Sequence, residues 1–305
     1  MPGDSCYVPP GQTVPPPPGV AAIDPPAVTV QVGATVSFTV EASGVGRPSY
    51  QWRRSSDGGL SYVDIAGATG KTYSLAGVNL GDDAAVFLVE VRPGNGTSVV
   101  QALSRLAVSS MPGVVLQDGE FLPADWSVAP TVDLAQAVPV HSEERATAGG
   151  NPGAFRRMVH QRAQGPSALR VFHTSRTATY DPASKGAIHV IDYAEDCIAL
   201  SNTTPGFLMD STLLIEQSGR RFITAATDYG VLPSWSAAPR RASLGVQDFM
   251  LFDGPACLPG ESCPDFSASA APLRFGFVRH STLSFGPPGS VEHGIDNWKV
   301  TVWGR

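Results

Sequence analysis

Hydrophobic and polar residues alternate with a period of two through the first third of the chain. Apolar residues occupy every second position from Val28 to Val32 and again from Val36 to Ala42, and Gly33 marks a turn between the two runs. This period places alternate side chains on opposite faces of a strand. Residues 24–110 are therefore predicted to form a β-sandwich with strands at Val28–Val32, Val36–Ala42, Tyr50–Trp52, Thr72–Leu75, Val86–Val91 and Ser98–Val108.

Alternating runs continue after Met111-Pro-Gly113, which interrupts the last of these strands. Helical periodicity is scarce over residues 114–305, where only Leu134–Arg145 is predicted to form one or two helical turns. Many antiparallel strands without alternating helices favour a large two-sheet jelly roll. Its predicted strands are Leu169–Thr174, Ala187–Tyr193, Thr212–Gln217, Arg221–Ala225, Asp248–Phe252, Leu273–Arg279 and Asn297–Trp303, the last with Trp298, Val300 and Val302 facing the core.

Composition narrows the class of protein. The 305 residues include 32 Gly and 27 Pro, 42% are hydrophobic, only 16% are charged, and the net charge is -6. This mixture excludes a coiled coil, a helical bundle and a wholly disordered chain. The absence of a dense positive run argues against a nucleic-acid partner. Prolines crowd the first 26 residues, and they predict an extended Pro-rich tether over residues 1–23.

The four cysteines bear on the compartment. Cys257 and Cys263 flank a run whose Pro and Gly turn the chain back, so we predict a disulfide between them, which implies an oxidising environment. Cys6 and Cys197 could pair, or Cys6 could carry a lipid anchor, and the sequence leaves both open. Residues 1–20 lack the apolar run of a secretory signal, and no stretch is long enough to span a bilayer. We expect a secreted or cell-surface chain whose signal peptide has been removed.

Four segments of the first domain resemble bacterial immunoglobulin-like domains. They match the B, C, E and F regions of that family and comprise Ser37–Ser43, Tyr50–Trp52, Gly67–Tyr73 and Asp82–Val89. The resemblance implies an Ig-like β-sandwich. Val40 and Val89 stand where antibody domains have the inter-sheet cysteines, so packing of valines against Trp52 is expected to replace that disulfide.

Residues 114–305 resemble concanavalin A-like lectin/glucanase sandwiches of bacterial surface and secreted proteins, which are similar to laminin-G-like modules. The segments that carry the resemblance are Gly150–Phe155, Tyr180–Ile188, Phe275–Phe277 and Gly294–Val300. It implies a concanavalin A-like jelly roll and glycan recognition. It also implies a structural calcium site, formed here by Asp296 with Asp118 and Glu120. Asp296 could equally cap a turn, with the other two acids solvated.

No catalytic residue is predicted. Glycosidases need two carboxylates facing one sugar, and the nearest match is Asp192 with Asp196, which share a strand face while Glu195 does not. The sequence lacks the Glu-x-Asp-x-x-Glu word of glucanases of this fold and the common hydrolase and nucleotide-binding motifs. We interpret these three acids as solvated residues at a strand end. His173 and His189 lie on predicted strands, could approach each other, and are interpreted as satisfied structural residues.

Sugar binding requires aromatic faces with polar groups around them. The candidates are Trp126, Tyr229 and Trp235, with Arg220 and Asp228 nearby in sequence. The stretch from Asp228 to residue 242 has Gly, Pro, Tyr and Trp without periodicity, which is typical of a long recognition loop. Trp235 could equally plug the end of the core.

The sequence thus predicts an all-β, non-catalytic protein with a tether, an Ig-like spacer over residues 24–110 and a concanavalin A-like jelly roll over residues 114–305. The jelly roll is expected to bind a polysaccharide or surface glycan, with structural calcium as the one expected cofactor. The alternative is a structural or assembly subunit of an extracellular polymer or surface layer that contacts other protein subunits. A glycan hydrolase or lyase is the third hypothesis.

Overall fold

The computed structural model describes residues 21–42, 47–94, 99–135, 140–162, 167–202, 208–225, 227–228, 234–236, 240–252, 254, 257, 263–283 and 289–305. The chain divides into two compact units, Met1–Val108 and Ser109–Arg305. Most of the described chain is β-strand, which confirms the predicted all-β class. Within these ranges, no helix has the length and apolar character needed to cross a bilayer.

The described part of the first unit has eight strands and one 3₁₀ turn, Leu80–Asp82. The strands are β1 (Ala21–Asp24), β2 (Ala27–Gln31), β3 (Val36–Ala42), β4 (Ser49–Ser55), β5 (Val63–Asp64), β6 (Thr72–Leu75), β7 (Val86–Arg92) and β8 (Val100–Ser109). A three-stranded sheet has the order β1-β3-β6, and a five-stranded sheet has the order β2-β8-β7-β4-β5. Successive strands are thus divided between two sheets, as in an Ig-like sandwich.

Aromatic and valine side chains fill the core of the first unit. Trp52, Val40 and Val89 are fully buried, and the rings of Phe38 and Phe87 stack with centroids 4.7 Å apart. The indole N–H of Trp52 donates to a backbone carbonyl at 2.9 Å, so its one polar atom is satisfied. The two valines lie in one cluster with Trp52, as predicted for a domain without the inter-sheet disulfide.

The predicted tether is too long by several residues. Ala21–Asp24 forms β1 and pairs with β3, and the buried Ile23 lies opposite Val40. The apolar run in β1 is too short to stand out from the prolines on both sides of it. Residues 1–20 lie outside the described ranges.

The described part of the second unit has thirteen strands, one short helix and two 3₁₀ turns. The helix α1 is Pro182–Lys185, and the turns are Pro123–Asp125 and Val246–Asp248. The strands are β9 (Val114–Asp118), β10 (Trp126–Ala135), β11 (Val140–Gly150), β12 (Gly153–Arg162), β13 (Ser167–Tyr180), β14 (Ile188–Asn202), β15 (Leu208–Gln217), β16 (Arg220–Thr224), β17 (Thr227–Asp228), β18 (Arg240–Leu244), β19 (Phe249–Leu251), β20 (Leu273–Leu283) and β21 (Gly289–Gly304).

These strands form two antiparallel sheets around one hydrophobic core. A seven-stranded sheet has the order β10-β13-β20-β15-β16-β19, with β17 paired to β15. A six-stranded sheet has the order β11-β12-β21-β14-β18, with β9 paired to β21. Trp298, Val300 and Val302 of β21 are fully buried in the core, which confirms the parity predicted for the last strand.

The predicted helical turns at Leu134–Arg145 are wrong where the stretch is described, and residues 136–139 lie outside the described residues. β10 extends to Ala135, and β11 begins at Val140 and pairs with β12 along its length. Because β11 is the edge strand of its sheet and carries polar residues on both faces, it lacks the apolar alternation by which a strand is recognised.

The interior of the second unit changes from apolar to polar along β20. Its inward side chains run from Phe275 and Phe277 to Arg279 and Ser281, all of them buried. Arg279 Nη2 lies 3.0 Å from Glu195 Oε1 in an ion pair whose side chains are both fully buried. A charged pair is therefore enclosed between the sheets, where water does not reach it.

Three buried histidines share this polar part of the interior. His160 Nδ1 lies 3.0 Å from Ser281 Oγ, and the ring of His160 meets the ring of His293 edge-on with centroids 5.0 Å apart. His173 stacks on Phe277 at 4.5 Å. The interpretation of His173 as a satisfied residue is wrong, because neither of its ring nitrogens has a hydrogen-bond partner among the described residues.

The predicted disulfide between Cys257 and Cys263 is confirmed. Cys197 lies buried in β14, where burial raises the pKa of its thiol to about 12. Cys6 lies outside the described residues, so its pairing with Cys197 and its lipidation both stay predictions.

Candidate functional site

A cavity of about 520 Å³ lies on the six-stranded sheet, on the face that points away from the core. Cross-strand register places Gln117, Lys299, Ala194 and Arg240 side by side on β9, β21, β14 and β18. Ala194 faces outwards because its neighbour Tyr193 is buried in the core. We call this cavity the polar pocket, which is lined by Gln117, Asp118, Gly119, Glu120, Ala194, Glu195, Asp196, Arg240, Asn297, Trp298 and Lys299.

A hydrogen-bonded network holds Asp196 and Asn297 at the pocket. Asp196 Oδ2 accepts hydrogen bonds from Nδ2 of Asn297 at 2.7 Å and from Nδ2 of Asn151 at 3.1 Å. Asn297 Nδ2 also donates to the backbone carbonyl of Asn151 at 2.5 Å. With φ of 48°, Asn297 adopts the left-handed conformation that asparagine tolerates better than most residues. The network fixes these polar groups without any ligand.

Asp296 anchors the loop that carries Asn151. It lies opposite Asp196 in the cross-strand register, is only 1% exposed, and accepts hydrogen bonds from the backbone N–H groups of Asn151 and Asn297. Burial raises the pKa of Asp296, and the neighbouring carboxylates add to that effect while the two N–H donors oppose it. A Cβ on Gly150 would lie 2.7 Å from Asp296 Oδ2, so only glycine allows the loop this close approach.

Trp235 lies between β17 and β18 and contacts the loop that carries Asn151. Its indole N–H donates to the carbonyl of Gly149 at 2.8 Å, and its ring meets Phe155 edge-on at 5.3 Å. The adjacent Ser236 forms a two-residue antiparallel bridge with Cys197, the residue after Asp196 in β14. The indole is partly exposed, so the structure retains it as a candidate stacking residue.

The three acids implied as calcium ligands are already bound by donors of the protein. Asp118 Oδ1 accepts two backbone N–H groups at 2.8 and 2.9 Å, and its Oδ2 accepts the indole N–H of Trp126 at 2.6 Å. Glu120 is largely exposed and forms an ion pair with Arg145. Asp296 accepts the two backbone donors described above. Among the residues that the structure describes, no group of three His, Cys, Asp or Glu side chains is arranged to hold a metal ion.

As placed, these residues do not fit calcium, which takes six to eight oxygen ligands. We expect EDTA to leave the melting temperature unchanged, because an ion stabilises a fold only if the folded state binds it. Thermal melts with EDTA and with added calcium chloride provide the measurement. A fall in melting temperature that calcium reverses would restore the calcium hypothesis.

The interpretation of Asp192, Glu195 and Asp196 as solvated acids at a strand end is wrong. β14 continues well beyond them, and both Glu195 and Asp196 are buried. Asp192 accepts the indole N–H of Trp303 at 2.8 Å, whereas Asp196 accepts the two asparagine amides. The two acids that were predicted to share a face are therefore held by different partners.

Trp126 is a core residue, which corrects its prediction as a sugar-binding residue. It is only 3% exposed, and its ring packs edge-on against the ring of Trp298 with centroids 5.3 Å apart. An aromatic ring must present a free face to stack on a sugar. The sequence around Trp126 could not predict this burial, because β10, which carries Trp126, and β21, which covers it, are far apart in sequence.

The other predicted ligand residues are dispersed. Tyr229 lies outside the described residues. Asp228 lies in β17 at the register position opposite Asp210. Arg220 is exposed and lines a second cavity, away from the residues of the polar pocket.

Sequence reasoning missed most of the pocket. Asn151 and Asn297 lie within segments that carry the family resemblance, but neither they nor Gln117 and Lys299 were predicted to bind a ligand. A signal existed in the glycine-rich run around Asn151, because such runs mark close backbone approach. Cross-strand register was needed to bring these residues together.

The comparisons with known proteins add little. No protein-family model matches the chain, and no curated protein matches it. Among solved structures, the N-terminal four Ig domains of Dscam1 isoform 6.9 align at 25% sequence identity and a TM-score of 0.25. That alignment covers 30% of this chain, and this chain spans 21% of the other. A likeness of this extent carries no argument about fold or function.

Proposed function

We propose that this protein is a non-catalytic binding protein whose second unit recognises a glycan at the polar pocket, with the first unit as a spacer. The observation that carries the proposal is the row of Gln117, Lys299 and Arg240 around the small side chain of Ala194, beside the fixed carboxylate of Asp196.

The chemistry of the pocket suits sugar hydroxyls, which both donate and accept hydrogen bonds. Lys299 and Arg240 supply donors, Asp196 supplies acceptors, and Gln117 supplies both. Trp235 offers an aromatic ring on the adjoining loop. Binding sites of this kind combine a few fixed polar groups with an aromatic surface. Because the amides already hold Asp196, little ordering is required when a ligand binds.

The same proposal includes a concanavalin A-like fold for the second unit and a secreted or surface-displayed location for the chain. The two antiparallel sheets of the second unit support a concanavalin A-like fold. The Cys257–Cys263 disulfide supports an oxidising compartment, as expected of a secreted or surface-displayed chain.

The test is binding of the full chain to a panel of purified polysaccharides, including neutral dextran, laminarin and xylan, by isothermal titration calorimetry. We expect binding to at least one neutral polysaccharide. We expect Lys299→Ala with Arg240→Ala to weaken this binding at least tenfold, because the substitutions remove the N–H groups that donate hydrogen bonds to the sugar. Arg176→Ala removes an exposed arginine outside the pocket and serves as the matched control.

Two outcomes would contradict the proposal. One is equal affinity for the wild-type chain, the double variant and the Arg176→Ala control. The other is no binding to any neutral polysaccharide together with concentration-dependent self-association on size-exclusion chromatography. The second outcome would favour a structural or assembly subunit.

A further inference from the structure

A second cavity, of about 650 Å³, lies where β15 turns into β16 in the seven-stranded sheet. We call it the arginine groove, and its lining includes Thr179, Glu216, Arg220, Arg221, Phe252 and Arg274. It shares no lining residue with the polar pocket. Variants in the two sites can therefore be compared within one protein.

Cross-strand register builds the centre of the groove. Arg274, Glu216 and Arg221 lie opposite one another on β20, β15 and β16 and form one row. Directly opposed residues of antiparallel strands have Cβ atoms about 4.5 to 5.5 Å apart. Glu216 Oε1 lies 3.0 Å from Arg221 Nε, and Glu216 Oε2 lies 3.9 Å from Arg274 Nη1. One carboxylate is therefore shared between two guanidinium groups.

The groove carries more positive than negative charge. Its lining contains three arginines and a single acid, Glu216, which leaves a surplus of two positive charges. Arg220 forms no ion pair with the described residues, and its guanidinium carbon lies 5.4 Å from the centre of the Phe222 ring. The side chain of Arg274 is 50% exposed. The surplus charge is therefore accessible to a ligand.

The structure positions Arg220 and Arg221 before any ligand binds. Ser218 and Gly219, with φ of 51° and 75°, form the two-residue turn that sets the start of β16 at Arg220. The guanidinium carbon of Arg221 lies 4.4 Å from the centre of the Phe172 ring, which is fully buried. A guanidinium stacked on a ring keeps the N–H donors at its edge available. Preorganised donors lose less conformational entropy on binding.

We propose that the arginine groove binds the carboxylate or sulfate groups of an acidic polysaccharide. The inference rests on the proposed glycan-binding function and adds the charge class of the ligand. Carboxylate and sulfate groups both present pairs of anionic oxygens that match the paired N–H donors of arginine, and neutral sugar hydroxyls do not. The positive charge is local, since the whole chain has a net charge of -6. That balance disfavours a nucleic acid, which needs many phosphate contacts.

The experiment uses the full chain and measures binding by isothermal titration calorimetry. Polygalacturonate tests carboxylates, dextran sulfate tests sulfate esters, and dextran is the uncharged control. We expect at least one acidic polymer to bind, with affinity that falls as sodium chloride rises from 50 to 500 mM. We expect Arg220→Ala with Arg274→Ala to lower that affinity at least tenfold. Arg274→Lys should recover only part of the loss, because lysine lacks the planar fork.

Two exposed arginines outside both cavities provide the matched control. Arg105→Ala with Arg176→Ala removes the same number of positive charges and should weaken acidic polymers much less than the groove variant does. Equal losses in the two double variants, or no loss in the groove variant, would overturn the inference. Failure of the groove variant alone leaves neutral glycan binding at the polar pocket intact, so the two proposals fail separately. Melting temperatures of all variants confirm that the fold is retained.

Discussion

Acidification from pH 7 to about pH 4 is expected to unfold the second unit, because it buries three neutral histidines. Burial lowers the pKa of His160 to about 3 and holds the pKa values of His173 and His293 well below the usual 6.5. They face one another and the cations Arg279 and Arg156 across the interior, and these charges further oppose protonation.

The direction of the pH effect follows from proton binding. Below pH 6.5 the unfolded chain takes up protons on these histidines, while the folded chain keeps them neutral until the pH approaches the much lower folded values. Stability is therefore unaffected above pH 6.5 and falls as the pH drops below it. Each histidine lowers the free energy of unfolding by up to about 1.4 kcal/mol for each pH unit below 6.5. Three histidines together lower it by up to about 4 kcal/mol per pH unit. Typical domains have only about 5 to 15 kcal/mol of stability.

Thermal melts followed by circular dichroism between pH 7 and pH 4 provide the measurement. His173→Phe should make the pH dependence shallower by about one proton, because phenylalanine can keep the stack on Phe277 without titrating. His189→Gln is the matched control, since His189 is only partly buried and contacts Arg305. An identical slope in wild type and His173→Phe would contradict the explanation.

Glu195→Ala is expected to destabilise the second unit by about 3 to 5 kcal/mol, the usual cost of breaking a buried ion pair from one side. The substitution removes the carboxylate that faces the buried guanidinium of Arg279. Two further contacts would be affected. Tyr193 Oη now donates to Glu195, and Arg279 Nη1 donates to the hydroxyl of Ser211.

A double variant without either charge separates the charge effect from packing. Glu195→Leu with Arg279→Met removes both charges, and it should be considerably more stable than Glu195→Ala, because no lone charge is left in the interior. Urea unfolding of the wild type, Glu195→Ala and the double variant gives the free energies of unfolding. Glu120→Ala, which removes an exposed ion pair with Arg145, should cost less than about 1 kcal/mol. A double variant no more stable than the single one would show that packing dominates.

Local alternation predicted the parts of the fold that depend on apolar faces. The resemblance to Ig-like domains placed Val40 and Val89 beside Trp52, and alternation placed Trp298 and Val300 on the buried face of β21. In β3 and in the second half of β21, a two-residue period separates a buried face from a more exposed one. The same rule fails on the edge strand β11, where both faces carry polar residues.

The sites depend on contacts that no local pattern contains. The sequence around Glu195 gives no sign that this acid is buried. Its burial is explained by the ion pair with Arg279, which lies on the opposite sheet. The sequence alone predicts Trp126 to be exposed, whereas in the structure Trp298 packs against its ring. Lys299 and Arg240 become neighbours only through the pairing of β21, β14 and β18. Most of the candidate site could therefore not be predicted from the sequence.

The position of β21 affects how the second unit can be assembled during synthesis. β21 lies between β14 on one side and β12 and β9 on the other, although it follows all of them in the chain. Until Gly289–Gly304 has left the ribosome, these three earlier strands lack their shared neighbour and leave edges exposed. The six-stranded sheet therefore cannot be completed before β21 is available, and a holdase chaperone that shields those edges would increase the yield of folded protein.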